Sequence, residues 1–184
     1  LRQLWNEGAR FQFVYFWQNT KEDVSKEEYN SSCCNQWFPS NFVDENGRMY
    51  NCCEQYMMAQ KAIVFGDDET LQKILSEKNP SKIKKLGRIV KNYNQKIWNS
   101  KCQDIVFQGN LYKFTQNEKC RKFLLSVPQD AIFVEASPLD KKWGIRLSEQ
   151  QPKAKNPLEW QGTNYLGFQI TRVRDYIISH SSET

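Results

Sequence analysis

The sequence predicts an α+β fold that is mostly α-helical and contains a small β-sheet. At 184 residues the chain has the length of one domain with a substantial core. Helical spacing of apolar residues dominates residues 52–126, whereas the β-prone apolar runs, such as 11–17 and 131–137, are short. No internal repeat or low-complexity linker divides the chain. We therefore expect one compact domain over residues 1–184.

The N-terminal part is predicted to be largely extended. The aromatic run FQFVYFW at 11–17 is typical of a first strand. Residues 18–36 are polar and lack periodicity, so they are interpreted as a loop or insertion. Within residues 37–50, Pro39 and the Asn46-Gly47 step indicate two short strands around a tight turn.

Five helices are expected to follow. Asn51 is a candidate N-cap for the first, from about Cys52 to Phe65, and Glu54 at its third position completes a pattern that resembles a capping box. Ser81 follows an Asn-Pro step and is a natural cap for the third helix. Gly109 weakens the middle of the fourth. The later four helices are predicted over 68–76, 81–91, 95–116 and 117–126.

The C-terminal part is predicted to contain one strand and one helix. The run AIFVEAS at 131–137 is interpreted as a buried strand, and residues 150–157 as a solvated loop. The last helix begins at a cap provided by Thr163 or Asn164. Residues 179–184 are expected to form a short flexible tail.

The composition limits the kinds of binding partner that we expect but identifies none. The formal charge of +5 suits an anionic ligand such as a phosphate group or nucleic acid, although many proteins without such a partner carry the same excess. No secretory signal and no bilayer-length apolar run is present, so we expect an intracellular protein, cytoplasmic or nuclear, that does not bind membranes. The sequence starts at Leu1 rather than Met, which leaves room for a targeting segment outside it. We expect a monomer.

Several classes of site are disfavoured. The cysteines lack C-x-x-C spacing, and we expect reduced thiols packed as small apolar groups, with no metal and no cofactor. The single histidine, His180, lies near the C-terminus, which argues against Ser-His-Asp and Cys-His catalysis. No P-loop or G-x-G-x-x-G is present. The six cysteines are Cys33, Cys34, Cys52, Cys53, Cys102 and Cys120.

An acid and an amine stand out in the first predicted helix. Glu54 and Lys61 interrupt an apolar stretch and are close to two helical turns apart, so both side chains point the same way. Two interpretations remain open at this point: two charges on the wet side of an amphipathic helix, or an acid and an amine directed into a pocket.

Other candidates lie elsewhere in the chain. Asp140 and Trp143 occupy the loop after the strand at 131–137, where binding residues are often found, although they could equally form a local turn and fill the core. Lys84 and Arg88 are four residues apart and form a cationic helix face that is either solvated or able to hold a phosphate. Taken singly, each of these residues favours a structural role. Composition and spacing alone therefore indicate only an α+β domain that could carry an acid-plus-amine site.

Seven segments, in order, resemble the NADAR family, whose name refers to NAD and ADP-ribose. The resemblance covers about residues 11–178, with the 18–36 insertion longer than expected, and implies a single NADAR-like domain. The segments are WFPSNF, YNCCEQYMMAQKAIVFGD, NPSKIKKLGRIV, IWNSKCQDIV, KFTQN, VEASPLDKKWGI and WQGTNYLGFQITRVRDYI.

The resemblance implies N-glycosidase activity on an exocyclic amine bonded to a phosphorylated ribose. One branch of the family cleaves ribosylamino-pyrimidine phosphates of riboflavin synthesis, and another removes ADP-ribose from guanine in nucleic acid. Residue by residue, it implies catalytic roles for Lys61, Glu54 and Asp140. It implies substrate-binding roles for Trp98, Trp143, Arg88, Lys84 and Asn41. Gln55 departs from the common pattern, in which a histidine follows the glutamate.

We expect an ADP-ribosyl-guanine hydrolase whose partner is an ADP-ribose-containing substrate. The mild basic charge and the extra polar loop favour the nucleic-acid adduct over the riboflavin intermediates. A non-catalytic ADP-ribose reader is the alternative of another class, and the presence of Glu54, Lys61 and Asp140 argues against it. A general RNA-binding module is disfavoured because we see no clustered basic stripe with interleaved aromatics.

Overall fold

The contacts of the chain cluster in two compact units. The structure, a computed structural model, describes residues 1–18 and 20–181. One unit consists of residues 1–35 with 122 onward, and the other of residues 36–121. The fold class is the one the sequence predicts, α+β and mostly helical, with two small sheets where one was expected. The assignment of residues 1–184 to a single domain stays a prediction.

The secondary structure of the described residues is as follows. The helices are α1 Arg2–Asn6, α2 Lys21–Ser25, α3 Cys53–Val64, α4 Asp68–Ser76, α5 Pro80–Arg88, α6 Gln95–Gln116, α7 Glu118–Ser126 and α8 Tyr165–Ser181. The strands are β1 Phe13–Phe16, β2 Phe42–Val43, β3 Met49–Tyr50 and β4 Ile132–Glu135. Short 3-10 helices occur at Ser31–Cys34, Pro152–Lys155 and Pro157–Glu159.

The first unit is built on a parallel pair of strands. β1 pairs with β4 in a register that places Phe13 opposite Ile132 and Phe16 opposite Glu135. α8 packs against β4. Asn164, just before α8, lies in the left-handed region at φ 53°, which asparagine tolerates better than most residues. Its side chain accepts from the Glu135 amide at 2.9 Å and donates to the Phe133 carbonyl at 3.0 Å, which fixes the start of α8 on the strand.

The core of the first unit lies beside this strand pair. The indole nitrogen of its large aromatic, Trp160, donates to the Ala154 carbonyl at 2.8 Å, so the polar atom of a buried ring is satisfied. The buried members of this cluster are Val134, Ile145, Leu147, Ala154 and Trp160. Ala154 is fully buried and belongs to a 3-10 helix. The segment 150–157 therefore contributes to the core and is not only a solvated loop.

α3 is the centre of the second unit. It packs against α4, α5 and α6, and every residue from Cys53 to Ala59 is buried. Gly109 lies where α6 crosses it, and a Cβ there would be 2.6 Å from Cδ1 of Tyr56. The glycine that weakens α6 as a helix is therefore needed for its close contact with α3. The predicted hairpin is confirmed, since β2 and β3 pair antiparallel.

Two predicted helix caps are wrong. Cys52, not Asn51, is the N-cap of α3 and makes no side-chain capping bond. Gln55, rather than Glu54, reaches back to accept from the Asn51 amide at 2.8 Å. α5 is capped by Asn79, whose side chain accepts from two amides, and the helix begins at Pro80 because proline suits the first turn. α5 also ends at Arg88, three residues before the predicted boundary.

Residues predicted as loops contain short helices. Within 18–36, apart from residue 19, which lies outside the described residues, α2 is closed by a capping box between Thr20 and Asp23. The 3-10 helix that follows buries Cys33 and Cys34 completely. α1 was not predicted. At the other end, α8 continues to Ser181, so the predicted tail is helical over 179–181, and residues 182–184 lie outside the described residues.

Candidate functional site

Neither Glu54 nor Lys61 lies on a fully solvent-exposed face of α3. Glu54 is 6% exposed, and Lys61 is half-buried. Seven residues of helix separate their Cα atoms by about 10 Å, so the two groups mark positions two turns apart along one face. Because α3 is surrounded by other helices, the interpretation as an amphipathic surface helix is wrong, and the structure places the acid and the amine within the unit.

The Lys61 ammonium group is held at the C-terminal end of α3. Its Nζ donates to the carbonyl of Gly87 at 2.7 Å. It also lies 4.2 Å from the ring centroid of Tyr93 and 5.8 Å from that of Trp98. A carbonyl dipole and two π faces all favour positive charge, with a contribution of about 0.5–2 kcal/mol for a cation–π contact. Lys61 is thus placed by a polar acceptor and an aromatic wall.

Gly87 allows this contact by bringing α5 close to α3. A Cβ at Gly87 would clash with the sulfur of Met58 and lie 2.8 Å from its Cγ. Met58 stands one turn before Lys61 on the side of α3 that meets α5. The absence of a side chain at Gly87 therefore lets its backbone carbonyl come within reach of the lysine.

Tyr93 belongs to the loop between α5 and α6. Its ring makes an edge contact with Phe65 at 5.3 Å between centroids, and 41% of the residue remains exposed. The preceding Asn92 is in the left-handed region at φ 55°. Partial burial, with a smaller effect of the Cys102 thiol, raises the pKa of Tyr93, so the ring meets Lys61 as a neutral phenol.

Asp67 fixes the start of this loop. One carboxylate oxygen accepts from the Thr70 amide at 3.1 Å and caps α4, and the other accepts from the Lys91 amide at 2.8 Å. The Lys91 amide bond is the main cause that lowers the pKa of Asp67 to about 2, and hydrogen bonds from Thr70 add to it. The residue before α4 therefore controls where the chain that carries Tyr93 begins.

Gln55 has a structural role next to Glu54. It is 3% exposed, and its amide nitrogen donates to the carbonyls of Ile74 and Glu77 at 3.0 and 2.9 Å. Together with the bond from the Asn51 amide, these contacts tie the first turn of α3 to the end of α4. The Glu54 amide in turn donates to the Gln36 carbonyl at 2.9 Å. The glutamine thus satisfies carbonyls at a helix end that would otherwise be unpaired.

The other predicted binding residues of the second unit differ in how deeply they are buried. Trp98, in the first turn of α6, is 5% exposed. Lys84 is half-buried with its ammonium group 5.8 Å from the ring centroid of Trp37, whereas Arg88 is exposed. Asn41 is exposed, and its carbonyl accepts from Asn117 at 3.1 Å. Of these, the structure brings Trp98 to Lys61.

Asp140 and Trp143 belong to the first unit. One oxygen of Asp140 accepts from the amides of Lys142 and Trp143 at 2.8 and 2.7 Å, so this carboxylate shapes its own loop. Trp143 makes an edge contact with Tyr165 at 6.2 Å between ring centroids. These bonds fit the local-turn interpretation of Asp140, and the catalytic and binding roles implied by the resemblance stay predictions.

The thiols do not form a reactive or metal-binding set. All six cysteines are buried. Burial raises the pKa of Cys52 and Cys53 to about 12, so both remain protonated at neutral pH. Among the described residues, no group of three histidine, cysteine, aspartate or glutamate side chains is placed to hold a metal ion. None of the helices in the described part is long and apolar enough to cross a membrane.

The fold and the acid-plus-amine helix define a mostly helical α+β protein with a lysine at its candidate site. The model of the NADAR domain family matches residues 15–178, and the chain belongs to this family. The matched range includes most of both compact units.

The chain is similar to two named proteins and to one protein of known structure. N-glycosidase R617 of Acanthamoeba polyphaga mimivirus is 44% identical over 156 residues, which cover 83% of this chain and 91% of that protein. Protein irg-1 of Caenorhabditis elegans is 39% identical over 128 residues, covering 68% of this chain and 60% of that protein. The NMR structure of Escherichia coli YbiA has a TM-score of 0.72 at 20% identity and covers 96% of this chain and 90% of that one, which confirms the fold. The family and the name of the viral relative support N-glycosidase activity in general.

Sequence reasoning missed two groups beside Lys61. One feature of the sequence could have indicated Tyr93: it is an aromatic residue between two asparagines in a predicted loop. An aromatic ring outside any amphipathic helix is a candidate for ligand binding. The Gly87 carbonyl carried none, because a backbone acceptor is defined only once α5 packs on α3. Both groups contact the lysine directly.

The Asp67 contacts predict an acid-sensitive anchor. Asp67→Ala should lower the melting temperature by about 2–4 °C at pH 7, because the cap and the Lys91 bond are both lost. The folded-state pKa of about 2 lies below the ordinary value of 3.8, so this stabilisation is complete above about pH 4 and is lost as the pH falls toward 2. Thermal denaturation between pH 7 and pH 3 should show the gap to wild type narrowing below pH 4.

The matched control is Asp68→Ala, which removes the exposed neighbouring carboxylate from the first turn of α4 and should change the melting temperature less. A gap for Asp67→Ala that is absent at pH 7, or that is the same at pH 3 as at pH 7, contradicts the assignment.

Proposed function

We propose that the protein is an N-glycosidase that hydrolyses the bond between ADP-ribose and the exocyclic amino group of guanine in nucleic acid. The observation that carries the proposal is the Lys61 amine, held by the Gly87 carbonyl at 2.7 Å on the same helix as the buried Glu54. Membership of the NADAR family and the name of the viral N-glycosidase support the reaction class.

The bond to be broken explains the need for an acid and an amine. An N-glycosidic bond breaks with positive charge developing at the anomeric carbon, which a nearby carboxylate stabilises. The leaving exocyclic amine is poorly basic, so a proton donor assists its departure. Glu54 and Lys61 lie about 10 Å apart along one face of α3, and we propose that the long lysine side chain brings its amine to the sugar that Glu54 contacts.

The amine offers a covalent route that conserves every atom. The sugar ring of an exocyclic N-glycoside opens to an imine at C1. Glu54 takes one proton from the Lys61 ammonium group, and the neutral lysine nitrogen adds to C1. The bond from C1 to the guanine nitrogen breaks, and the guanine amine leaves with the two remaining protons of the lysine nitrogen. Water then adds to C1 of the lysine imine, and Lys61 leaves as free amine with ADP-ribose as the second product. Glu54 is proposed to accept and return the protons of these steps.

Binding of the substrate is assigned to the residues around the lysine. Tyr93 offers an exposed ring next to the amine, and Trp98 closes the wall beneath it. A purine base or an adenine ring stacks well on such surfaces. Lys84 and Arg88, on the helix that supplies the Gly87 carbonyl, are candidates for the pyrophosphate. Asn41 retains its implied place as a residue that contacts substrate.

A direct comparison of substrates tests the proposal. The protein is incubated with an ADP-ribosylated guanosine oligonucleotide and, separately, with ribosylamino-pyrimidine phosphate, the substrate of the competing N-glycosidase assignment. The proposal predicts release of free ADP-ribose and unmodified guanine from the first at a rate well above that for the second. Faster cleavage of the pyrimidine assigns the chain to the riboflavin intermediates, and binding of ADP-ribose with no cleavage of either assigns it to a non-catalytic reader.

The covalent route predicts a trapped adduct on Lys61. Borohydride added during turnover should reduce the lysine imine to a stable amine and leave about one ADP-ribosyl group per chain, because the intermediate is stoichiometric with its nucleophile. Peptide mass spectrometry should find the adduct on Lys61, with Lys85→Arg, at an exposed lysine of α5, as a control that keeps trapping. Turnover without any trapped adduct would exclude the covalent route and leave Lys61 as the proton donor.

The contact between Tyr93 and Lys61 predicts that only the aromatic face of Tyr93 is needed, so that phenylalanine can replace it. Tyr93→Leu removes the π face and should lower kcat by about tenfold, whereas Tyr93→Phe keeps the face and should stay within about twofold of wild type. Tyr176→Leu is a matched control, because Tyr176 is 42% exposed and lies in the other unit. Equal kcat for Tyr93→Leu and wild type, or equal losses for Leu and Phe, would contradict this role.

A further inference from the structure

The positive charge of the chain is concentrated in one segment. Residues 78–101 contain eight of the 26 lysines and arginines and none of the 21 aspartates and glutamates. Since the whole chain carries +5, the rest of it carries a formal charge of −3. We call residues 78–101 the basic segment. The expectation that the sequence lacks a clustered basic stripe is wrong. The cluster is not apparent within any single element, because its cations are spread over α5, the loops on either side of it and α6. The eight cations are Lys78, Lys82, Lys84, Lys85, Arg88, Lys91, Lys96 and Lys101.

Nearly all of this charge is on the surface. Seven of the eight side chains are exposed, and Lys84 is half-buried. The recorded ion pairs in the segment join Lys82 to Glu77 at 3.9 Å and Lys91 to Glu69 at 2.8 Å. The Lys91–Glu69 pair is solvent-exposed, and the Lys82–Glu77 pair is long with an exposed lysine, so both contribute little and are screened by salt. The positive potential of the segment is therefore largely available to a ligand.

The basic segment supplies three of the groups that contact the Lys61 amine. The carbonyl that holds Lys61, Gly87, is at the end of α5, Tyr93 lies in the following loop, and Trp98 is in the first turn of α6. All three groups belong to the segment, so its cations continue from the immediate surroundings of the amine outward along two helices. The segment that carries the cations therefore also supplies groups that hold Lys61.

Apolar and aromatic groups are interleaved with the cations. Ile89, Tyr93 and Ile97 are 63%, 41% and 44% exposed. Single-stranded nucleic acid is bound by surfaces of this composition, in which cations follow the phosphates and exposed rings or apolar groups take the bases. α5 alone is about 13 Å long, enough for several phosphates of one strand.

We propose that the basic segment is a docking surface for a nucleic-acid strand, which it guides so that a modified guanine lies at Lys61. This inference rests on the proposed function, because it identifies the polymer that carries the ADP-ribosylated base. The surface binds the strand on either side of the modified base, mainly through phosphate contacts, and is therefore tolerant of sequence. An unmodified strand binds to it as well, which allows the surface to be tested without catalysis.

Salt-dependent binding tests the surface directly. The variant Lys85→Gln/Lys96→Gln/Lys101→Gln removes three exposed cations that have no role in the proposed chemistry. The control Lys122→Gln/Lys153→Gln/Lys155→Gln makes the same change of charge at exposed lysines outside the segment. Fluorescence anisotropy measures the Kd of an unmodified single-stranded oligonucleotide against salt concentration. Each phosphate contact removed should lower the slope of log Kd against log salt by about 0.7, hence by about 2 for the variant.

We expect the segment variant to bind about tenfold more weakly than wild type near physiological salt, and the control to stay within about twofold. Equal slopes and equal affinities for the two triple variants would overturn the proposal. Stronger binding of wild type to vesicles containing phosphatidylserine than to the oligonucleotide would also overturn it, since the surface would then fit an anionic membrane.

Activity provides the second arm and separates this inference from the proposed function. The segment variant should lose about tenfold in kcat/KM on an ADP-ribosylated oligonucleotide and keep its kcat/KM on ADP-ribosylated guanosine, which has no flanking phosphates. An equal loss on both substrates would overturn the docking role. If wild type cleaves neither substrate, the proposed function fails, and the binding arm still decides whether the surface holds a strand.

Discussion

The candidate site in the second unit depends on one hydrogen bond, from the Lys61 ammonium group to the Gly87 carbonyl at 2.7 Å. A charge on a half-buried lysine needs an acceptor, and a backbone carbonyl meets that need without adding a competing negative charge. The bond is possible only because α5 approaches α3 over the bare backbone of Gly87, against Met58. Once α5 ends there, the chain turns through Asn92, and Tyr93 packs over the same amine. Helix packing, the path of the loop and the proposed chemistry thus involve the same few atoms.

The helices were largely predictable from the sequence, and the corrections have physical causes. α4 and α6 have enough turns for periodicity to reveal them. α1 and α2 span five residues each, too few for a period, and are stabilised by tertiary contacts or a local capping box. The cap of α3 was assigned wrongly because Glu54 and Gln55 are adjacent and either can reach back. The buried carbonyls at the end of α4 select the glutamine.

The candidate site was predictable only in part. Spacing alone gave Glu54 and Lys61 a common direction, and the family resemblance drew attention to Trp98, which the structure places near the lysine at 5.8 Å. Tyr93 could not be derived, because its position depends on the left-handed Asn92 and on a hydrogen bond from the Lys91 amide to Asp67. Charge clustering was present in the sequence, but its meaning required knowing that α5, the loop and α6 meet at one amine. Local patterns reveal elements, whereas sites depend on which elements pack together.

The central claim is that the Lys61 amine carries out the cleavage of an N-glycosyl bond. The most direct measurement is the single-turnover rate of ADP-ribose release from ADP-ribosylated guanosine by wild type and by Lys61→Ala, with circular dichroism to establish that both are folded. We predict rapid release by wild type and a loss of at least about a hundredfold in the variant, the order expected when a nucleophile or proton donor is removed. A folded Lys61→Ala protein that releases ADP-ribose at the wild-type rate would contradict the account.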